Sequence, residues 1–385
     1  MLSMATRREI AEKLRRKYER AKTKKEKTAI IDAAVEATGW HRKHAIRVLS
    51  GRPGSSKTPN GKRGPKPKYG AAHAETLRRV WAILDFPCSS RLKAGMRDVL
   101  DALERCGQMK VSPKVKREVC AMSASTIDRM LARDRGALLP RGRATTKPGS
   151  LLKSQIPIRR GTEWSDGELG FMEADTVAHC GHTLKGEFCY TLDMTDVASG
   201  WTELVCVRNK AEVHMVAAVG RVRARMPFAL KGFDSDNGSE FINAHFLRYC
   251  EREDLVFTRS RPYTKNDGCF VEEKNWSVVR RTIGYGRYSG DEACALINEI
   301  YERQRILTNY FTPSAKLASR MRDGSRIVRF HDEPMTPYRR IMAMKGVGKE
   351  ARDRMRAEFK SADPLRLRLE IKELTDRLLE MCEEL

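Results

Sequence analysis

Phe233-Asp234-Ser235-Asp236-Asn237-Gly238-Ser239-Glu240-Phe241 is an apolar strand end that breaks into an Asx/Gly turn and then a helix start. Further on, Asn266-Asp267-Gly268-Cys269-Phe270-Val271-Glu272-Glu273-Lys274-Asn275 opens a second helix, with 35 residues between Asp236 and Glu272. A strand-end carboxylate and a helix carboxylate can share one pole of a sheet. A third acid stands upstream in Phe171-Met172-Glu173-Ala174-Asp175-Thr176-Val177. In the middle of a mostly apolar strand such an acid is costly unless it is paired or bound to metal. Three carboxylates that meet make an oxygen site for hard divalent cations.

Asp175, then Asp196-Val197-Ala198-Ser199-Gly200-Trp201, then Asp236-Asn237-Gly238-Ser239, then Glu272 with Asn275 three residues on, resemble the catalytic core of retroviral integrases. They resemble still more that of the integrase-type DDE transposases of bacterial insertion sequences. The likeness covers residues 163–320. It implies a ribonuclease-H-like integrase core of α/β class. It also implies metal-dependent cleavage at element ends and transfer of the 3′-OH ends into target DNA. Asp175, Asp236 and Glu272 are then the catalytic acids and the ligands of two Mg²⁺ ions, with Mn²⁺ as a substitute. Two departures are visible. The N-terminal His/His/Cys/Cys zinc module of retroviral integrases is not expected, because His41 and His44 have no CxxC partner. Retroviral relatives have three steps from the loop glycine to the glutamate, whereas Gly268 to Glu272 is four.

Rival acids stand close by. Glu173 shares a strand face with Asp175, Asp234 stands likewise to Asp236, and Glu273 is about 100° around the helix from Glu272. The family pattern puts the acid directly after Val271, which favours Glu272. Asp193 reads as an ordinary charged edge and Asp196 as the structural start of a turn. Around the acids, Asn237 and Gly238 form a turn that lets backbone approach DNA. Asn275 lies on the Glu272 face, where it can contact a phosphate or base. Lys274, Arg280 and Arg281 give that helix a basic flank, and Arg261 and Lys265 flank the loop before it, with Tyr263 able to stack on a base.

Formal net charge is +24, from 74 Lys+Arg against 50 Asp+Glu. A surplus of that size points to a polyanion, most simply double-stranded DNA. No apolar run of membrane-spanning length exists and the polar N-terminus lacks a signal-peptide core, so the expectation is a cytoplasmic, nucleoid-associated bacterial protein. The ten cysteines are scattered without a CxxC and read as reduced buried thiols. The cluster His179-Cys180-Gly181-His182, with Cys189 beyond, lacks zinc-ligand spacing.

In chain order, residues 1–50 read as helices with a Gly39 turn, a helix-turn-helix pattern that turns Arg42, Lys43 and Arg47 toward a DNA groove and Ala45, Ile46 and Leu49 inward. Residues 51–71 are an acid-free basic linker. Residues 72–135 form a second helical DNA-binding domain whose last helix carries Arg129 behind a serine cap in Met122-Ser123-Ala124-Ser125. A second basic linker covers 136–162, the integrase core 163–320, and a C-terminal region 321–385. In the last region Arg326 to Phe330 reads as a strand of a small β-module. Leu367, Ile371, Leu374, Leu378, Met381 and Leu385 form a 4-3-4-3-4 seam, for dimerisation or for packing on the chain itself. The leading function is therefore a DNA transposase that works as a homo-oligomer on DNA, away from membranes. The alternatives are an inactive DNA-binding protein on a domesticated transposase scaffold and a structure-specific nuclease of the same fold.

Overall fold

The computed structural model describes residues 4–51, 68–138, 167–235, 244–259, 269–323 and 326–383. The chain divides into two compact units, Met1–Lys68 and Tyr69–Leu385.

The first unit contains α1 (Met4–Arg20), α2 (Lys24–Thr38) and α3 (Arg42–Leu49). Helix α2 starts at a capping box, with the Thr23 side chain on the Glu26 N–H and the Glu26 side chain on the Thr23 N–H. It ends at Gly39, whose φ of 68° is the left-handed conformation that glycine adopts without strain. Ile31, Ala34, Ala45 and Leu49 form its core, with Leu14, Tyr18, Ile30 and Val35 packed around them. Ile46 was expected inward and is instead 38% exposed. On a helix this short, Ala45 and Leu49 define the buried stripe at i, i+4 spacing, and Ile46 falls outside it.

The second unit opens with α4 (Ala71–Ile83), α5 (Ser89–Arg105), α6 (Pro113–Cys120) and α7 (Ala124–Leu138). Leu77, Val80, Trp81 and Leu84 are buried, and so are Met96, Leu100 and Leu103. Then come β1 (Phe171–Ala178), β2 (Tyr190–Asp196), β3 (Thr202–Val207), α8 (Glu212–Arg225), β4 (Gly232–Ser235), α9 (Ala244–Arg252) and β5 (Val256–Arg259). The sheet order is β3-β2-β1-β4-β5. Strands β1, β2 and β3 are antiparallel, and β4 and β5 join β1 in parallel. A three-strand meander joined by later parallel strands fits the ribonuclease-H-like α/β core that the resemblance implied.

Alternation along β1 separates two faces. Met172 and Ala174 face a cluster completed by Leu192, Met194, Phe233 and the apolar sides of α8 and α9. Glu173, Asp175 and Val177 fall on the other face. That face is covered by α10 (Cys269–Lys274), a π-helical turn over Asn275–Arg280, α11 (Arg281–Ile283) and α12 (Gly290–Ile306), which runs into a second π-helical turn, Leu307–Phe311. A β-hairpin follows, β6 (Leu317–Asp323) with β7 (Arg326–His331), then α13 (Pro337–Ala343), α14 (Lys349–Ser361) and α15 (Pro364–Glu380). One hydrophobic cluster joins α4, α5 and α7 to α12 and α15. Ile371, Leu374 and Leu378 of the C-terminal seam are buried in it, so the seam packs on its own chain.

Asp196 is structural, as expected. It is fully buried and accepts from the Gly170 N–H at 2.8 Å, the Ser199 N–H at 2.7 Å and the Ser199 hydroxyl at 2.6 Å. It thereby ties the β2–β3 turn to the start of β1. Gly170 is required there, with φ +102° and a Cβ that would lie 2.3 Å from the Ala229 carbonyl oxygen.

Candidate active site

Strand β1 carries two acids on one face, and its neighbours add more. The β1–β2 register sets Asp193 opposite Asp175 and Thr195 opposite Glu173. The β1–β4 register sets Asp234 beside Glu173 and Ser235 beside Ala174. Cross-strand partners share a face, so Glu173, Asp175, Asp193 and Asp234 form one acidic patch. Ser235 immediately precedes Asp236 in the chain, and Ala174 immediately precedes Asp175.

Each acid has a distinct environment. Glu173 is buried and accepts from the backbone N–H groups of Phe270 at 2.8 Å and Val271 at 3.1 Å. These donors belong to the first turn of α10, where helix N–H groups otherwise go unpaired. Asp175 is half-buried, and its Oδ2 accepts from Asn275 Nδ2 at 2.6 Å. Asp234 accepts from the Thr258 hydroxyl at 2.6 Å. Asp193 is fully buried; one oxygen accepts from Thr195 at 3.0 Å and the other, Oδ2, has no hydrogen-bond partner. Burial pushes the Asp193 carboxyl well above the ordinary carboxylate range, and the nearby charges of Asp175 and Glu173 add to the effect against Thr195 and Lys274.

The helix above this patch holds Glu272 exposed in its first turn, three residues before Asn275. Residues three apart on a helix are neighbours, so the asparagine that touches Asp175 lies beside Glu272. The π-helical turn begins at Asn275. Such turns insert an extra residue per turn and are frequent at functional sites. Glu273 points elsewhere: Arg91 of α5 donates to it at 2.6 Å. This separates it from Glu272 as a ligand candidate.

The DNA-contact candidates divide. Asp236, Asn237, Arg261 and Lys265 lie outside the described residues. Arg42, Lys43, Arg47 and Arg129 are exposed. Lys274 is only 6% exposed, so it does not form part of the basic flank. Its position one turn past the helix start, on the side facing the sheet, turns it toward the acids, and burial lowers its pKa against the pull of Glu273 and Asp193. Arg280 is also committed inward, donating to the Ala178 carbonyl at 2.9 Å and the Gly284 carbonyl at 3.3 Å. Asn275 was expected to meet a phosphate or base and instead meets Asp175, while its Oδ1 is buried without a partner. Exposed Trp276 and Tyr285, with Arg281 and Arg280 against their rings, line the open side of this helix.

The donor set fits the cations that the sequence implied. Carboxylates crowd one sheet face with Lys274 as a buried counter-charge, and two orphaned oxygens, Asp193 Oδ2 and Asn275 Oδ1, lie among them. An all-oxygen, anionic set of this kind suits a hard divalent ion.

Comparison with known proteins agrees with this architecture. Residues 166–265 match the family model described as integrase core domain. The chain is 39% identical over 341 residues, 88% of its own length and 96% of the relative's, to the uncharacterized protein y4rM of Sinorhizobium fredii (strain NBRC 101917 / NGR234). The chain belongs to the same family as y4rM, and its own residues 166–265 carry the integrase core domain. Similar solved structures include the catalytic core of BIV integrase, with 14% identity over 44% of this chain and 91% of that one at a TM-score of 0.28. Another is the HTLV-2 integrase catalytic core in complex with magnesium, with 13% identity over 37% of this chain and 88% of that one at a TM-score of 0.29. An integrase core indicates an enzyme of the polynucleotidyl-transferase type. Among the described residues no helix is long and apolar enough to cross a membrane.

Proposed function

We propose that this protein is a DDE transposase that cleaves DNA at the ends of its element and joins the 3′-OH ends to target DNA, with Asp175, Asp236 and Glu272 as its catalytic acids. The observation that carries the reading is the bond from Asn275 to Asp175, which ties the helix bearing Glu272 to the strand bearing the first acid. The parallel pairing of β1 with β4 supports the third member, because the last described pair is Ala174 with Ser235.

Asp175, Asp236 and Glu272 would hold Mg²⁺. When bound, the ions lower the pKa of the attacking oxygen and neutralise the leaving 3′-oxygen. The chain's own residues prepare the site. Glu173 fixes the start of α10, Asn275 orients the Asp175 carboxylate, and Lys274 offsets the negative charge beneath them. Trp276 and Tyr285 offer stacking faces to an unpaired base. The exposed basic residues Arg42, Lys43, Arg47 and Arg129, with Arg261 and Lys265, supply phosphate contacts, and the helix–Gly39 turn–helix of the first unit acts as a DNA-binding helix-turn-helix.

The test is gel analysis of the purified full chain with Mg²⁺ and the DNA flanking its own gene. Wild type is expected to nick and then join the ends. Asp175→Asn, Asp236→Asn and Glu272→Gln are each expected to lose at least about a thousandfold in rate, since each weakens the ion site that activates the attacking oxygen. Equal nicking by wild type and these variants would remove the assignment.

A further inference from the structure

Cys189, Cys206 and Cys294 converge although they are far apart in the chain. Their sulfur atoms all lie within 4.8 Å of one another. Cys189 immediately precedes β2, Cys206 lies on the neighbouring edge strand β3, and Cys294 lies near the start of α12. The register that pairs Thr191 with Cys206 brings Cys189, two residues earlier, to the same sheet face. Cys189 and Cys206 are fully buried and Cys294 is half-buried. The thiols' present partners are weak ones: Cys189 donates to the Gly290 carbonyl at 3.6 Å and Cys294 to the Cys206 carbonyl at 3.4 Å. Asn298, one turn beyond Cys294 on α12, holds the geometry, accepting from the Cys206 N–H at 2.9 Å and donating to the Cys206 carbonyl at 2.9 Å and to the Cys294 sulfur at 3.7 Å. Arg221 donates to that same carbonyl at 3.4 Å, which brings a permanent positive charge to the rim of the cluster.

We propose that Cys189, Cys206 and Cys294 form a three-thiolate site for a soft, thiophilic d¹⁰ metal ion, distinct from the carboxylate site. Three sulfur donors without a nitrogen or oxygen partner select soft ions and reject Mg²⁺ and Mn²⁺. Among the described residues the group stops at three, whereas structural zinc is almost always held by four ligands. The site therefore suits an ion content with trigonal sulfur coordination, and Zn²⁺ only with solvent at the fourth position. Binding exchanges each S–H proton for a metal–sulfur bond and releases that proton to solvent, with no change of oxidation state. The ion would clip the edge strand, the entry to β2 and the start of α12 together.

The probe is Cd²⁺, added to the reduced, chelator-stripped full chain. A thiolate-to-cadmium charge-transfer band in the ultraviolet is expected, saturating at one ion per chain, with Cys294 protected from alkylation. Cys294→Ser, at a half-buried helical position, is expected to weaken binding by more than about tenfold. Cys206→Ser is the second variant. Cys250→Ser, in α9 on the opposite sheet face, and Asp175→Asn are expected to keep the band unchanged. Absence of the band in wild type, or a band of equal strength in Cys294→Ser, would overturn the proposal. Loss of the band in Asp175→Asn would show that the thiolates do not bind independently of the carboxylate site and overturn it equally.

Discussion

Glu173 accepts from the N–H groups of Phe270 and Val271, so an acid on β1 acts as the N-terminal cap of the helix that carries Glu272. A cap reached from another element fixes the helix in position as well as satisfying its first turn. Misplacing a catalytic group by an ångström is enough to cost about a hundredfold. Glu173→Leu is therefore expected to lower the initial nicking rate by about two orders of magnitude. Glu173→Gln keeps an acceptor oxygen and is expected to stay within about tenfold of wild type, on the neutral-acceptor reading of the same bonds. Rates measured side by side with Glu272→Gln decide the matter: if Glu173→Gln is as inactive as Glu272→Gln, Glu173 is a ligand and not a brace. The acids of β1 were legible because a carboxylate amid apolar strand residues must have a reason. Asp193 was not, because Thr191-Leu192-Asp193-Met194-Thr195 alternates polar and apolar like a solvent-facing edge strand, and only the position of α10 and α12 over that face buries it.

At the level of elements, the helix over the acids is more than the amphipathic run the sequence suggests. It changes from α to π at Asn275, and a π turn has no distinct hydrophobic period over six residues. The C-terminal seam shows the opposite limit. Its spacing was plain, but spacing alone does not say whose surface it meets; the structure answers with Ile371, Leu374 and Leu378 against α12 and α4 of the same chain. Leu378 is fully buried. Leu378→Ala is expected to destabilise the folded chain by about 2–5 kcal/mol in urea denaturation. The oligomeric state of the same variant, followed by sedimentation, is expected to match wild type. A dissociated oligomer at unchanged stability would mean that the seam serves a second copy. The cysteine trio had no comparable signal, since its members are brought together by strand pairing and helix packing that no local spacing encodes.

Across the whole molecule, a buried ionic network joins the C-terminal helices to the sheet. Arg305 donates to Glu203 at 2.9 Å and to Glu358 at 2.6 Å, and the Tyr310 hydroxyl donates to Glu358 at 2.5 Å. Burial alone would raise the Glu358 carboxyl, but the Arg305 guanidinium and Tyr310 outweigh it and hold it below its ordinary value of 4.5. A depressed carboxyl contributes stability that is complete above 4.5 and is lost as pH falls through its lower folded value. Glu358→Gln is thus expected to cost about 2 kcal/mol at neutral pH, the worth of a charged hydrogen bond. Thermal melts as a function of pH check this: the gap from wild type should close below 4.5, and a constant gap would assign the loss to packing.

The shared cluster that runs from α4, α5 and α7 through α12 to α15 bears on where the polypeptide can be divided. The family match begins at residue 166 and ends at 265, yet Arg91 reaches Glu273, Arg281 reaches Asp85, and Arg368 reaches the Ile83 carbonyl. A fragment trimmed to the matched segment would lose α10, α12 and every one of these pairs, and would strip Val177, Leu204 and Cys206 of their apolar cover. The smallest piece with a dry interior starts near Tyr69 and keeps the last helix, so the catalytic module is larger than its recognisable signature.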